Sequence, residues 1–220
     1  GEVNWAERMV HCQQIVGATN LPVSADLEYG IGHTPEEAAE TVRAAAAAGL
    51  AGCSLEDFSG NPDQPIYDLG LAIERIQAAS EAARELPHDF VLTARSENYF
   101  HGRTDLDDTI TRLLAFEAAG ADVLFAPGLP DLDAIHLLCS SVSKPVSVMY
   151  GMAGETYGVA ELAAAGVKRI SLGPALAAVA YGATVAAARG LLETGVFRYP
   201  EPTAGYGDVV RLLKAGASAE

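Results

Sequence analysis

One short phrase recurs three times along the chain and restricts its fold more than any other feature. "AAAAAGLAGCSLED" (44–57), "FEAAGADVLFAP" (116–127) and "LAAAGVKRISLG" (162–173) each close a small-residue helix, place a glycine and continue into a short apolar run. Glycine just past a helix supplies the left-handed cap. An apolar run of about four to six residues fits a strand buried on both faces. Three further strand-like runs lack that lead-in: "LPVSAD" (21–26), "DFVLTARSE" (89–97) and "KPVSVMY" (144–150). Helical patterns separate the strands. One opens at "HTPEEAAETV", where Thr34 is the N-cap, Pro35 the first helical residue and Glu37 the capping-box partner. Others cover 67–86, 105–119, 131–141, 155–165 and 174–194. Regular alternation of strand and helix predicts an α/β fold with a parallel sheet. No low-complexity linker interrupts the 220 residues, so a single domain over 1–220 is expected.

The arrangement of polar residues narrows the class. A doubly wound dinucleotide-binding sheet would carry a glycine-rich first βα turn, and "EYGIG" has no third glycine in place. Charged residues instead close several different strands: Asp26 and Glu28, Glu56 and Asp57, Arg95 and Glu97. A (β/α)8 barrel of the TIM type builds its active site in this way. Only six strands are found, however, and a full barrel typically takes about 250 residues.

The formal net charge is −15, from 29 acids against 14 bases. Such a surface repels phosphate backbones and anionic lipid, which argues against nucleic-acid and membrane roles. Cys12, Cys53 and Cys139 are widely spaced, with no CxxC pattern. They read as buried thiols of a reducing compartment, and the protein is expected to be cytoplasmic. The longest apolar runs are alanine-rich and broken by glycine, so neither a membrane span nor a signal peptide is expected.

Asp26 and Glu28 stand two apart, on one side of an extended segment, and Glu56 and Asp57 close the next strand. Strand ends about 4.8 Å apart would bring these carboxylates together, and like charges so close require a cation. An all-oxygen set favours Mg²⁺ or Mn²⁺. For any single acid, capping a helix or pairing with arginine is the competing reading. Arg95 suits a bidentate clamp on a substrate carboxylate or phosphonate, or an ion pair with Glu97 or Glu56. The loop "FSGNPDQPIYD" (58–68) is either a lid or an ordinary βα loop. His33 and His101 lie in loops after strands, as do Tyr29 and Tyr99, which are candidate proton donors; His11, His88 and His136 show no pattern.

Taken together, "LPVSADLEYGIG", "GCSLED", "LTARSE" and the segment opening "RISLGPALAAVAYG" resemble the isocitrate lyase/phosphoenolpyruvate mutase superfamily, most closely its phosphonomutase-like bacterial branch. The resemblance implies a (β/α)8 barrel, a homodimer that exchanges a helix and pairs into a homotetramer, and Mg²⁺ held by acids matching Asp26, Glu28 and Glu56. It makes Arg95 the substrate-contacting arginine, with Glu97 beside it. The implied chemistry makes or breaks a C–C or P–C bond next to a 2-oxo acid through a pyruvate-type enolate. Gly30 and Gly32 would let the backbone turn away from the metal.

The chain departs from that pattern in three places. The lyases carry a Lys-Lys-Cys-Gly-His type loop after the Glu-Asp strand, whereas "FSGNPDQP" has no cysteine, lysine or histidine. This speaks against isocitrate or methylisocitrate cleavage. Of the mutase's lysine- and asparagine-bearing loop only Asn61 is an echo, which makes it a candidate substrate contact and speaks against phosphonate mutation. The superfamily's first one and a half βα units have no counterpart here. The expectation is that residues preceding Gly1, or a partner chain, cover two open sheet edges. The leading reading is a Mg²⁺-dependent lyase, decarboxylase or hydrolase of a small 2-oxo dicarboxylate. The alternative is a non-catalytic relative that binds a carboxylate or serves oligomerisation.

Overall fold

The computed structural model describes residues 3–150, 156–196 and 204–217. Elements alternate as α1 (Trp5–Val16), β1 (Ser24–Asp26), α2 (Pro35–Ala47), β2 (Gly52–Glu56), α3 (Leu69–Arg84), β3 (Val91–Arg95), α4 (Leu106–Ala118), β4 (Val123–Phe125), α5 (Leu132–Ser141), β5 (Val146–Met149), α6 (Val159–Ala164), β6 (Arg169–Ser171), α7 (Ala175–Thr194) and α8 (Tyr206–Ala217). The six strands form one sheet in the order β1-β2-β3-β4-β5-β6, and every neighbouring pair is parallel. This is the TIM-barrel type of architecture expected from the sequence, with six βα strands.

The recurring phrase has a common backbone cause. Gly49, Gly120 and Gly166 all adopt positive φ, at 87°, 103° and 105°. In each case the next residue's N–H reaches back to a carbonyl of the last helical turn: Leu50 to Ala45, Ala121 to Phe116, Val167 to Leu162. These are Schellman closures, which need a residue without a Cβ penalty in the left-handed region. The helix starts are equally local. Thr34 accepts from the Glu37 N–H while Glu37 accepts from the Thr34 N–H, with Pro35 in the first turn, as the sequence predicts. Helix α1 was not anticipated, although Asn4 and Glu7 form the same reciprocal box. Helix α8 was not anticipated either. Position 155 of the expected 155–165 helix lies outside the described residues.

The strands are not uniformly apolar. Cys53, Leu55, Leu92, Ala94, Leu124, Val146 and Val148 are buried in the core with Val42, Ala45, Ile76, Leu113, Phe116 and Leu138 of the helices. Each fully buried leucine contributes about 1.5–3 kcal/mol. The alternate positions Ser54, Glu56, Thr93, Arg95, Phe125 and Ser147 belong to the opposite, polar face. Cys53 is fully enclosed, and burial pushes its thiol up to about 12, so it behaves as a small apolar residue. The cysteines are free thiols, two of them buried.

The chain divides into two compact units, one comprising Gly1–Tyr150 and Gly154–Ser171, the other Gly151–Ala153 and Leu172–Glu220. Within the second unit, α7 presents Leu176, Val179, Tyr181 and Leu192 as exposed residues. Its 20 residues are long and apolar enough to cross a membrane, by length and composition only. The sequence reading, which took its glycines as breaks, found no such run. Arg189 and Glu193 fall in its last two turns.

Candidate active site

Parallel register brings the ends of β1, β2 and β3 side by side, with Asp26 opposite Ser54 and Glu56 opposite Arg95. Arg95 is the hub. Its Nε donates to Glu97 Oε1 at 2.9 Å, and its Nη2 lies 2.8 Å from the same oxygen. Glu56 Oε2 is 3.4 Å from Nε, and Nη1 donates to Asp26 Oδ2. The guanidinium carbon sits 4.8 Å from the centre of the Phe125 ring, so one face of the cation is covered by β4. Arg95 is only 8% exposed. The sequence reading left clamp and ion pair open for this residue; the ion pair is present, with both named partners.

Asp26 is held on its other oxygen. Ser54 Oγ donates to Oδ1 at 2.9 Å and the Glu28 N–H at 3.2 Å. Glu28 is the one non-glycine with positive φ among the described residues, at 56°. A left-handed residue between Leu27 and Tyr29 costs about 1–2 kcal/mol, and such outliers gather at functional sites. Its side chain does not join Arg95. It pairs with Arg8 of α1 at 3.1 Å, across a surface contact. Of the expected trio, Asp26 and Glu56 meet at Arg95, whereas the Glu28 side chain turns to Arg8. Among the described residues no three potential ligands are arranged to hold a metal ion.

The electrostatics show how crowded the carboxylates are. Burial, then the charges of Glu97, Asp26 and Glu28, push Glu56 up to about 8 against the pull of Arg95. Burial also raises Glu97, opposed by Arg95. One guanidinium thus serves three carboxylates. An added divalent cation would relieve that excess, and the donors on offer are all hard oxygens.

Behind this layer lies a second one: Asp57, which the sequence places among the converging carboxylates, pairs instead with the buried Arg112, a residue the sequence does not single out. Asp57 accepts the Glu97 N–H at 2.8 Å and Arg112 Nη1 at 3.2 Å. Arg112 also donates to the Tyr67 carbonyl at 3.0 Å and to Asp108 at 2.9 Å. The Asp57 carbonyl accepts the Tyr67 N–H. The 58–66 loop therefore leaves and returns at one braced point, closed by the antiparallel bridge of Phe58 with Ile66. Asn61, the candidate substrate contact in this loop, accepts the Asp63 N–H on its Oδ1. His101 stacks on Phe58 at 3.9 Å, and Tyr29 stacks on His33, whose Nδ1 is 2.6 Å from Tyr67 Oη. Arg75, buried under Tyr67, donates to the carbonyls of Tyr29, Gly32 and Thr34 and fixes the turn after β1.

Comparison with known proteins supports the same grouping. The sequence profile of the family described as phosphoenolpyruvate phosphomutase matches residues 1–192. A lyase/mutase-type protein from Burkholderia cenocepacia J2315 superposes with a TM-score of 0.92 at 48% identity, over 96% of this chain and 76% of that one. The 2-methylisocitrate lyase of Escherichia coli (strain K12) is 29% identical over 140 residues, 61% of this chain and 46% of the relative. The oxaloacetate decarboxylase of Bradyrhizobium sp. (strain BTAi1) is 30% identical over 134 residues, 59% of this chain and 45% of the relative. The chain thus spans about half the length of the curated relatives it matches. The profile match, the parallel sheet and the charged ends of its first three strands agree: the chain belongs to the phosphoenolpyruvate mutase/isocitrate lyase superfamily.

Proposed function

We propose that this chain carries the active site of a Mg²⁺-dependent enzyme that makes or breaks a C–C bond next to a small 2-oxo acid. The observation that supports this most is Arg95 at the meeting point of three strand ends, ringed by Asp26, Glu56 and Glu97. A bare scaffold has no need of one buried cation shared by the buried Glu56 and Glu97 and the exposed Asp26, because burying such charges costs more than an apolar replacement.

Asp26, Glu28 and Glu56 would hold the metal, directly or through water. When bound, Mg²⁺ supplies Lewis-acid polarisation of the 2-oxo group. Arg95 lies beside these acids, and its guanidinium, fixed by Glu97 and Phe125, offers N–H donors to the substrate carboxylate and to charge developing as an enolate. Fixed donors of this kind need little reorganisation at the moment of reaction. The 58–66 loop, braced at Asp57 and Tyr67, carries Asn61 at its tip and would cover the bound acid. Relatives named as acting on 2-methylisocitrate and oxaloacetate support a small carboxylate substrate. The exposed apolar side chains of α7 suit a homo-oligomer, in which a second copy would cover them.

Incubating the protein with Mg²⁺ and pyruvate in D2O tests the enolate directly. Loss of the pyruvate methyl signal in proton NMR is expected, and it stops on chelation or in Arg95→Ala. The second reading, a carboxylate-binding relative without catalysis, is favoured by one feature: the 58–66 loop lacks any cysteine, lysine or histidine to act as an acid. Under that reading the same protein binds 2-oxo acids and leaves the methyl signal unchanged.

A further inference from the structure

The turn after β1 and the loop after β2 are joined by a contact that the framework does not call for. His33 Nδ1 and Tyr67 Oη stand 2.6 Å apart. Tyr67 is only 7% exposed, and its hydroxyl meets no other hydrogen-bond partner among the described residues. A buried hydroxyl hydrogen needs an acceptor. The phenol therefore donates and the imidazole accepts, with Nε2–H left to the exposed side of His33. Burial raises the Tyr67 phenol and keeps it in its donating form.

The other tasks of these two residues do not use that contact. The Tyr67 ring lies 4.8 Å from the Arg75 guanidinium, its carbonyl accepts from Arg112, and its N–H donates to the Asp57 carbonyl. Phenylalanine would do all of this. His33 leads into α2 through its backbone, whose N–H donates to Glu37 Oε2 at 2.7 Å, as any other residue's could. Its ring is committed elsewhere: it stacks on Tyr29 at 5.2 Å. Tyr29 in turn meets the 58–66 loop, where a Cβ added to Gly60 would stand 3.2 Å from Tyr29 Cε1. Contacts thus run without a break from Gly60, beside Asn61, through Tyr29 and His33 to Tyr67 at the foot of the loop. The turn that makes them follows directly on Glu28, and Arg75 fixes it through the carbonyls of Tyr29 and Gly32.

We propose that His33 and Tyr67 are a positioning pair, whose hydrogen bond latches the 58–66 loop to the turn after β1 and so holds the loop over the acid bound at Arg95. This rests on the reading of that loop as the cover of an oxo-acid site, and deepens it by naming what keeps the cover in place. Neither residue is catalytic; both act through the loop. One hydrogen bond of this kind shifts an opening equilibrium by about two- to tenfold. That is enough to set how long a ligand stays without altering the groups that bind it.

Deuterium exchange at the amides of residues 59–64 follows the loop, and calorimetric titration of oxalate with Mg²⁺ follows the site. Tyr67→Phe keeps the ring and removes the donor, His33→Ala removes the acceptor, and His33→Asn returns a carbonyl oxygen near the place of Nδ1. Tyr67→Phe and His33→Ala are each expected to speed loop exchange and to weaken oxalate by about two- to tenfold. The double variant is expected to match His33→Ala, because the two residues share one interaction. His33→Asn is expected to recover most of the loss, and Mg²⁺ affinity measured without oxalate to stay unchanged throughout. A pair with a structural task alone would lower the denaturation midpoint and leave oxalate affinity as it is, and that result overturns the proposal. A His33→Asn variant as impaired as His33→Ala overturns it too, as does faster loop exchange with no loss of oxalate. If the wild-type protein binds no oxalate, the oxo-acid reading falls instead, and loop exchange alone decides whether the latch exists.

Discussion

Arg112 Nη1 lies 3.2 Å from Asp57 Oδ2 with both side chains essentially excluded from solvent, the acid one residue beyond Glu56 and the base in the middle of α4. The pair joins the strand end that carries the candidate site to the helix behind it. Because Asp57 also takes the Glu97 N–H, the pair sets where Glu97, and through it Arg95, can stand.

Removing one partner strands a buried charge. Arg112→Met is expected to destabilise the protein by about 3–5 kcal/mol, read as a lowered denaturation midpoint. Because burial already raises Asp57 against the pull of its Glu97 and Arg112 partners, the double variant Asp57→Asn/Arg112→Met should recover part of that loss. A double variant no better than the single one would contradict a pairwise brace.

Phe125 under Arg95 gives a second expectation. Phe125→Leu keeps an apolar residue but removes the ring face 4.8 Å from the guanidinium. A desolvated cation–π contact is worth about 2 kcal/mol and an exposed one about 0.5–1. Oxalate affinity measured with Mg²⁺ should fall about three- to tenfold, with little change in Mg²⁺ affinity alone.

Glu56 sets a pH dependence in metal-free protein. Its folded value is raised to about 8, chiefly by burial, from an ordinary 4.5. Between those values the native state holds a proton that the unfolded state has released, so stability falls as pH rises. The contribution is fully present below about 4.5 and lost as pH passes about 8. Chemical denaturation at several pH values in the presence of a chelator should show this slope, and Glu56→Gln should flatten it.

The helix-closing glycines are predicted to be unequal. Gly49→Ala, Gly120→Ala and Gly166→Ala all force a Cβ into positive φ, which costs about 1–2 kcal/mol. At Gly120 the added atom would also clash with Ser80 Oγ and Arg84 Nη2, and at Gly166 it would lie 2.8 Å from Cys139 Cβ. At Gly49 its nearest contact is Val16 at 3.0 Å. Gly120→Ala should therefore show the largest drop in melting temperature of the three, and Gly49→Ala the smallest.

How much of this was legible follows from where the information sits. The glycine caps, the Thr34 box and the order of the strands are local, set within about six residues, and the sequence shows them. The gathering of Asp26, Glu56, Arg95 and Glu97 was legible because a parallel sheet puts successive strand ends in one place. Period-two alternation in "CSLE" was overlooked: the run looked buried on both faces, whereas Ser54 and Glu56 point away from the core that holds Cys53 and Leu55. The brace from Asp57 to Arg112 spans 55 positions, and nothing in either neighbourhood announces the other. Asn61 was singled out as the echo of the family's asparagine-bearing loop, and its local turn contact, Oδ1 accepting the Asp63 N–H, was not.

The most direct test of the central claim is calorimetric titration of oxalate, a planar mimic of the pyruvate enolate, with and without Mg²⁺. Binding is expected to require the metal and to be lost in Asp26→Ala and in Arg95→Ala. Absence of binding with Mg²⁺ present, or binding indifferent to both the metal and Arg95, would contradict an oxo-acid site at these strand ends.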